Sequence, residues 1–246
     1  MVKRKVHRWL PAAGVMMLVL LSGCLYPKDN TPGNNFSAHA SVQTAQDAVK
    51  RYQEATGLLP IQNADASVPV YEKYKIDFGK MKRMGYVESI PKLAFENGGE
   101  YVFLIIDEET NPRVKLLDLP VYQGIADVQK KVDEYRNGHG GGLPVGEEAY
   151  PGFRYLDFKK LGIDRPELLS MYSKRPLELM ADEQGTVYAD YGIDIAEALK
   201  KDELPPGADE DLRGRLASLS DFVPVKSPIY RWAGDGPQAV APSSDS

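Results

Sequence analysis

The chain of 246 residues has one cysteine, Cys24, with three histidines and two tryptophans. One cysteine forbids an intrachain disulfide and a multi-cysteine metal site. Phosphate-binding loops, zinc-ligand spacings and the glycine fingerprint of dinucleotide-binding folds are absent, so no cofactor is implied. Long hydrophobic runs are also missing. The main one, Trp9 to Leu21, is broken by Pro11 and Gly14. Its roughly 13 residues reach about 20 Å as helix, against a hydrocarbon core of about 30 Å. That is short for a membrane span and suits the apolar core of a signal peptide. Positive charge is scarce as well. Lys and Arg number 30 against 35 Asp and Glu, with no visible basic patch, which makes nucleic acid a poor partner.

What is present begins at the N-terminus. Lys3, Arg4, Lys5 and Arg8 precede the apolar run, and Leu21-Ser22-Gly23-Cys24 closes it. This arrangement resembles the lipobox of bacterial lipoproteins. The resemblance implies a lipoprotein signal peptide over 1–23, cleavage between Gly23 and Cys24, and acylation (palmitate-type chains) of Cys24. The protein would then be lipid-anchored on the extracytoplasmic face of the cell membrane. The competing reading is an ordinary signal peptide or anchor with an incidental cysteine. Two acyl chains suffice for stable anchoring, at about 0.8 kcal/mol per buried methylene. Losing the four basic residues takes the formal net charge from −5 to −9. So acidic a chain should be repelled by an anionic leaflet. Residues 24–41, rich in Pro, Asn and Gly, read as a flexible tether.

The remainder reads as an internal duplication, 42–118 and 119–194. Val42, Ala45, Val49 and Tyr52 line one face of an amphipathic helix, and Ile125, Val128, Val132 and Tyr135 repeat the spacing 83 positions later. Leu59-Pro60-Ile61 follows the first helix and Leu143-Pro144-Val145 the second. Ile76-Asp77-Phe78 then aligns with Leu156-Asp157-Phe158. Tyr101 to Ile106 aligns with Leu177 to Ala181, and Val114 to Leu117 with Val187 to Ala189, as hairpin strands. Each copy is expected to hold a helix, an extended Leu-Pro segment, a short helical piece and a β-hairpin. One such unit has too little core to be stable alone, and two can share one. The fold class is therefore α+β with an antiparallel sheet. A C-terminal helical and extended segment spans 195–233, and the prolines of Phe222 to Tyr230 confine it to an edge or the surface. The tail, 234–246, reads as disordered.

Few constellations point to chemistry. His139-Gly140-Gly141-Gly142 looks like an oxyanion-hole loop, but no Gly-x-Ser-x-Gly elbow accompanies it, and a plain loop after the helix is the simpler reading. Asp77 and Asp157 could form a carboxylate pair. An Asp before a helical piece more often caps it. Asp107, Glu108 and Glu109 lack the ligand spacing of a calcium loop. Tyrosine is abundant, with 14 residues. These either form a contact surface or sit half-buried in sheets.

Ala48-Val49-Lys50-Arg51-Tyr52, Thr56-Gly57-Leu58-Leu59-Pro60 and Met84-Gly85-Tyr86-Val87-Glu88-Ser89-Ile90-Pro91, with the Cys24 box, resemble cell-envelope lipoproteins of Bacillus-type Firmicutes, the YphF-like group. The resemblance implies location and no catalytic motif. Tyr52 to Pro60 with Gly85-Tyr86 and Ile90-Pro91 also looks like the globular part of pseudopilins. There the membrane helix runs directly into the soluble helix, whereas here a lipobox and tether intervene. The expectation is a non-enzymatic binding or scaffolding module for an envelope protein, touching it through tyrosines and exposed hairpin edges. The alternative is a solute-binding lipoprotein of an ABC transporter.

Overall fold

The computed structural model describes residues 33–202 and 205–241. Gly23, Cys24 and the signal segment lie outside the described residues. Helix α1 (Gly33–Thr56) opens the described chain. Its start corrects the expected tether, because the apolar stripe of Val42, Ala45, Val49 and Tyr52 continues back to Ala38, which is 1% exposed. The spacing of four then three residues keeps Ala38 on the buried face. Asn34 and Asn35 had obscured it as turn formers.

The first copy continues through α2 (Val70–Lys73) and α3 (Phe78–Arg83) to strands β1 (Tyr101–Ile106) and β2 (Arg113–Asp118). The second comprises α4 (Leu119–Gly138), β3 (Val145–Tyr150), β4 (Phe153–Leu156), α5 (Phe158–Leu161), β5 (Glu178–Asp182) and β6 (Val187–Asp190). Helices α6 (Gly192–Lys201) and α7 (Arg213–Leu219) follow, then β7 (Ile229–Ala233) and β8 (Gly236–Val240). Among the described residues no helix is long and apolar enough to cross a membrane.

The two copies share a topology in detail. β3, β4, β5 and β6 form one antiparallel sheet in that order. In the first copy Ile61 bridges Ile76, Lys75 bridges Leu104, and β1 pairs with β2, so the same order is traced with its first two strands reduced to bridges. Asp77 N donates to Pro60 O and Asp157 N to Pro144 O, both at 2.8 Å. Gln46 Oε1 accepts Val114 N at 2.7 Å and its Nε2 donates to Pro112 O at 3.0 Å. Gln129 does the same with Val187 N at 2.7 Å and Gly185 O at 2.9 Å. Each glutamine thus ties its helix to the returning strand of its hairpin.

The β3–β4 ladder was not foreseen. Tyr150-Pro151-Gly152-Phe153 makes it: proline and glycine close the turn, with Gly152 at φ +81°, and tyrosine and phenylalanine flank it. The corresponding stretch of the first copy, Asn63-Ala64-Asp65-Ala66-Ser67-Val68-Pro69, is mostly turn formers and small residues, and it loops.

The core is shared. The face of β1–β2 bearing Phe103, Ile105, Val114 and Leu116 packs on α1, Phe78 and Met81. Its other face, with Val102, Leu104, Ile106 and Leu117, joins the larger cluster of α4, β4–β6, α6 and α7. Residues 221–226 strap the copies together. Leu116 N donates to Asp221 O at 2.8 Å, Val223 N to Leu116 O at 3.0 Å, and Ala189 N to Lys226 O at 2.9 Å. Leu116 and Ala189 are equivalent positions of the two hairpins. The strap does run along strand edges, as its prolines predict, but Phe222, Val223 and Val225 are buried rather than at the surface.

The tail expectation also needs correction, since Gly236–Val240 pairs with Ile229–Ala233 across a two-residue Gly234-Asp235 turn. Buried Tyr230 and Ala239 hold that hairpin on the core. Residues 242–246 lie outside the described residues.

Candidate functional site

A cavity of about 600 Å³ lies on the second copy's sheet. The β3–β4 hairpin builds it. Leu143, Val145, Phe153 and Ala181 supply apolar lining, and Glu148, Arg154, Asp182 and Glu183 supply charge. Arg154 stands opposite Glu148 across the strands and opposite Ala181 on the other side. Its guanidinium also donates to Gly146 O. Asp182 is consumed internally, with Oδ1 accepting Thr186 N at 2.8 Å and Oδ2 accepting the Tyr188 hydroxyl at 3.2 Å. Glu148 and Glu183 are exposed and make no ion pair among the described residues. β3 borders the groove as an edge strand, with register breaks between Val145 and Glu148 and between Glu148 and Tyr150. Bulges and glutamates on an edge oppose strand addition, so the groove offers side-chain contacts rather than a backbone template.

Behind the sheet lies a polar hub. Asp190 Oδ1 accepts the Tyr150 hydroxyl at 3.0 Å, the Tyr230 hydroxyl at 2.7 Å and Gly192 N at 2.8 Å. Its Oδ2 accepts the Tyr155 hydroxyl at 2.9 Å. Strands β3, β4 and β7 and the start of α6 therefore meet on one carboxylate. Burial first, and the Asp190 charge second, push all three phenols well above the usual tyrosine range. They stay neutral donors, which is what a carboxylate with four bonds requires. Gly192 is needed for closeness: a Cβ there would sit 2.2 Å from the Tyr150 oxygen.

The tyrosines are thus mostly spent inside the fold, and none of the described ones is fully exposed. The first copy's hairpin edges are covered too, β1 by Tyr74–Ile76 and β2 by Asp221–Val223. Asp77 and Asp157 each cap a helix, accepting Lys80 N at 2.8 Å and Lys160 N at 3.2 Å. His139 ends α4 stacked on Tyr135, with ring centroids 3.8 Å apart. Asp107 pairs with Arg113 in its turn, at 2.5 Å. Among the described residues no three His, Cys, Asp or Glu side chains converge for a metal. The groove and the Asp190 hub escaped sequence reading. The Pro151-Gly152 turn between two β-forming stretches was the available signal for both.

A second cavity of about 350 Å³ lies where the copies meet, between α2, β1, β2 and the start of α4. Glu72, 6% exposed, faces it and accepts Lys226 Nζ at 2.9 Å. That ammonium also stands 4.5 Å from the Tyr122 ring centroid.

Fold and grooves together define a tandem α+β repeat protein whose second copy carries the larger recess. Residues 38–118 match the model of the YphF family N-terminal domain. That span is the first copy, from within α1 to the last residue of β2, so the chain is YphF-like over this copy. It contains the Ala48–Pro60 and Met84–Pro91 residues that carry the resemblance. No curated protein and no solved structure matches the chain.

Proposed function

We propose that the protein is an extracytoplasmic lipoprotein, anchored through acylated Cys24, that acts as a non-enzymatic binding or scaffolding module for an envelope protein. The 600 Å³ groove carries this reading. It combines apolar lining with one arginine and two glutamates, Glu148 and Glu183, that make no ion pair among the described residues. A protein segment presenting an apolar side chain beside a lysine or arginine fits that pattern. Helix α1 begins nine residues after Cys24, which limits the reach of the intervening chain to about 30 Å. A partner must then lie at the membrane. Crosslinking on intact cells followed by mass spectrometry tests the reading. One specific envelope protein should be captured by the parent chain and lost in Glu148→Lys/Glu183→Lys. Capture that ignores this charge reversal would refute the groove as the binding surface.

One observation favours the second reading, a solute-binding lipoprotein of an ABC transporter. The cavity between the copies holds a buried carboxylate, a lysine and a tyrosine ring, the mixture of a small-solute site. A small molecule that co-purifies with the full chain, and is lost in Glu72→Gln, would establish it.

A further inference from the structure

The first copy carries a cationic face that the second lacks. Helix α3 turns Phe78 and Met81 inward, which leaves Lys80, Lys82 and Arg83 facing outward. Lys80 Nζ stands 5.5 Å from the Tyr52 ring centroid on α1. Tyr86 packs edge-on against that ring at 5.0 Å, and its carbonyl accepts Arg51 Nη2 at 3.1 Å. Arg51 and Lys80 therefore meet on two tyrosines, and Lys82 and Arg83 lie on the same short helix as Lys80. Among the described residues none of the four meets a carboxylate within ion-pair distance. The acidic groups nearby are largely engaged: Asp77 caps α3, and Glu54 lies 4.0 Å from Lys50.

Two large apolar side chains flank these cations, Leu58 at 63% and Met84 at 49% exposure. They stand before and after α3, because Pro60 O accepts the N–H of the capping Asp77 and Met84 follows the last turn. At the equivalent positions the second copy has Asp133 and Glu134 for Lys50 and Arg51, Gly142 for Leu58, and Gly162, Ile163 and Asp164 for Lys82, Arg83 and Met84. Its helix charges pair with one another, as in Lys131–Glu134 at 2.7 Å and Lys130–Asp127 at 2.9 Å. Unpaired cations between exposed leucine and methionine, on an otherwise acidic chain, have the pattern of a membrane-surface contact.

We infer that this end of the first copy docks on the anionic phospholipid surface, with the four cations at headgroup phosphates and Leu58 and Met84 at the acyl boundary. The inference rests on the lipid-anchored reading, which keeps the domain beside a leaflet. It reverses the expectation that net charge holds the protein away, since each basic group near such a surface is attracted locally.

The test uses the full chain with Met84→Cys carrying an environment-sensitive fluorophore, in a Cys24→Ser background. Vesicles of phosphatidylcholine alone are compared with vesicles holding about 30% phosphatidylglycerol. Emission should rise at least about threefold on the anionic vesicles. The rise should vanish in about 0.5 M salt, where the Debye length is about 4 Å, and in Lys82→Glu/Arg83→Glu. Equal emission on both vesicle types overturns the inference. So does the same rise with soluble polyphosphate and no vesicle, which would make the site one for a dissolved polyanion. Thiol labelling of the parent chain isolated from cells reports on Cys24 separately. A reactive Cys24 would refute acylation without touching the docking result.

Discussion

The two copies share one topology and the same glutamine ties, yet they present opposite surfaces. In the first, the opening strand pair is reduced to the Ile61–Ile76 bridge, and its outer end is cationic. In the second, that pair is a bulged antiparallel ladder that raises a groove edged by Glu148 and Glu183. Conserved parts are those that satisfy buried backbone groups: the glutamine bonds, the aspartate caps and the Leu-Pro turn. Those parts leave the loop between the first two strands and the outward positions of the short helix free to differ. A duplicated scaffold can thus carry two separate contacts, one on each copy.

Alkali should separate the copies most strongly. Tyr150, Tyr155, Tyr188, Tyr191 and Tyr230 cluster in or against the second copy, each raised by burial and then by a nearby carboxylate. Tyr71 of the first copy is also pushed up to about 12. A phenol with a raised folded value contributes stability that is complete below its ordinary value of 10.0 and is lost as pH climbs through the folded value. Each fully buried one loses about 1.4 kcal/mol per pH unit between its ordinary value and its folded value. Circular dichroism should show unfolding between about pH 10 and 12. Limited proteolysis should place the first cuts in 145–191; first cuts in 42–118 would contradict the comparison.

Core truncation comes next. Phe78 is 1% exposed, whereas its equivalent Phe158 is half-buried. Phe78→Ala should cost about 3–5 kcal/mol and Phe158→Ala roughly half, measured by urea denaturation. Equal losses would show that the copies are packed alike. Gln46→Leu and Gln129→Leu should each cost about 1–3 kcal/mol, because each strands a strand N–H. Here equality is the expected outcome, and a twofold difference would break the equivalence. Smallest are the caps: Asp77→Ala and Asp157→Ala should each lower stability by about 1 kcal/mol, read from thermal midpoints.

Much of the scaffold was legible in the sequence. The stripes of Val42–Tyr52 and Ile125–Tyr135 announced two helices, and the runs from Tyr101 and Leu177 announced two hairpins. Asp77 and Asp157 were legible as caps because capping is local, set within three residues. The Asp190 hub was not legible. Its hydroxyls come from Tyr150, Tyr155 and Tyr230, at least 35 residues away, and no local pattern marks a hydrogen bond of that range. The tyrosines suggested a surface because a phenol suits both an interface and a half-buried sheet, and only the position of its oxygen distinguishes them. The strap was half legible: its prolines specified an edge, but not that two hydrophobic sheets would close over Phe222, Val223 and Val225.

By itself the sequence determined the duplication, the α+β class and the helix caps, all of them periodicities or short-range motifs. Tertiary structure alone decided which cations stay unpaired, which acids face a groove and where the copies are bound together. Those outcomes depend on which surfaces approach across the fold, and burial, desolvation and ion pairing act only once distant residues are brought within a few ångströms.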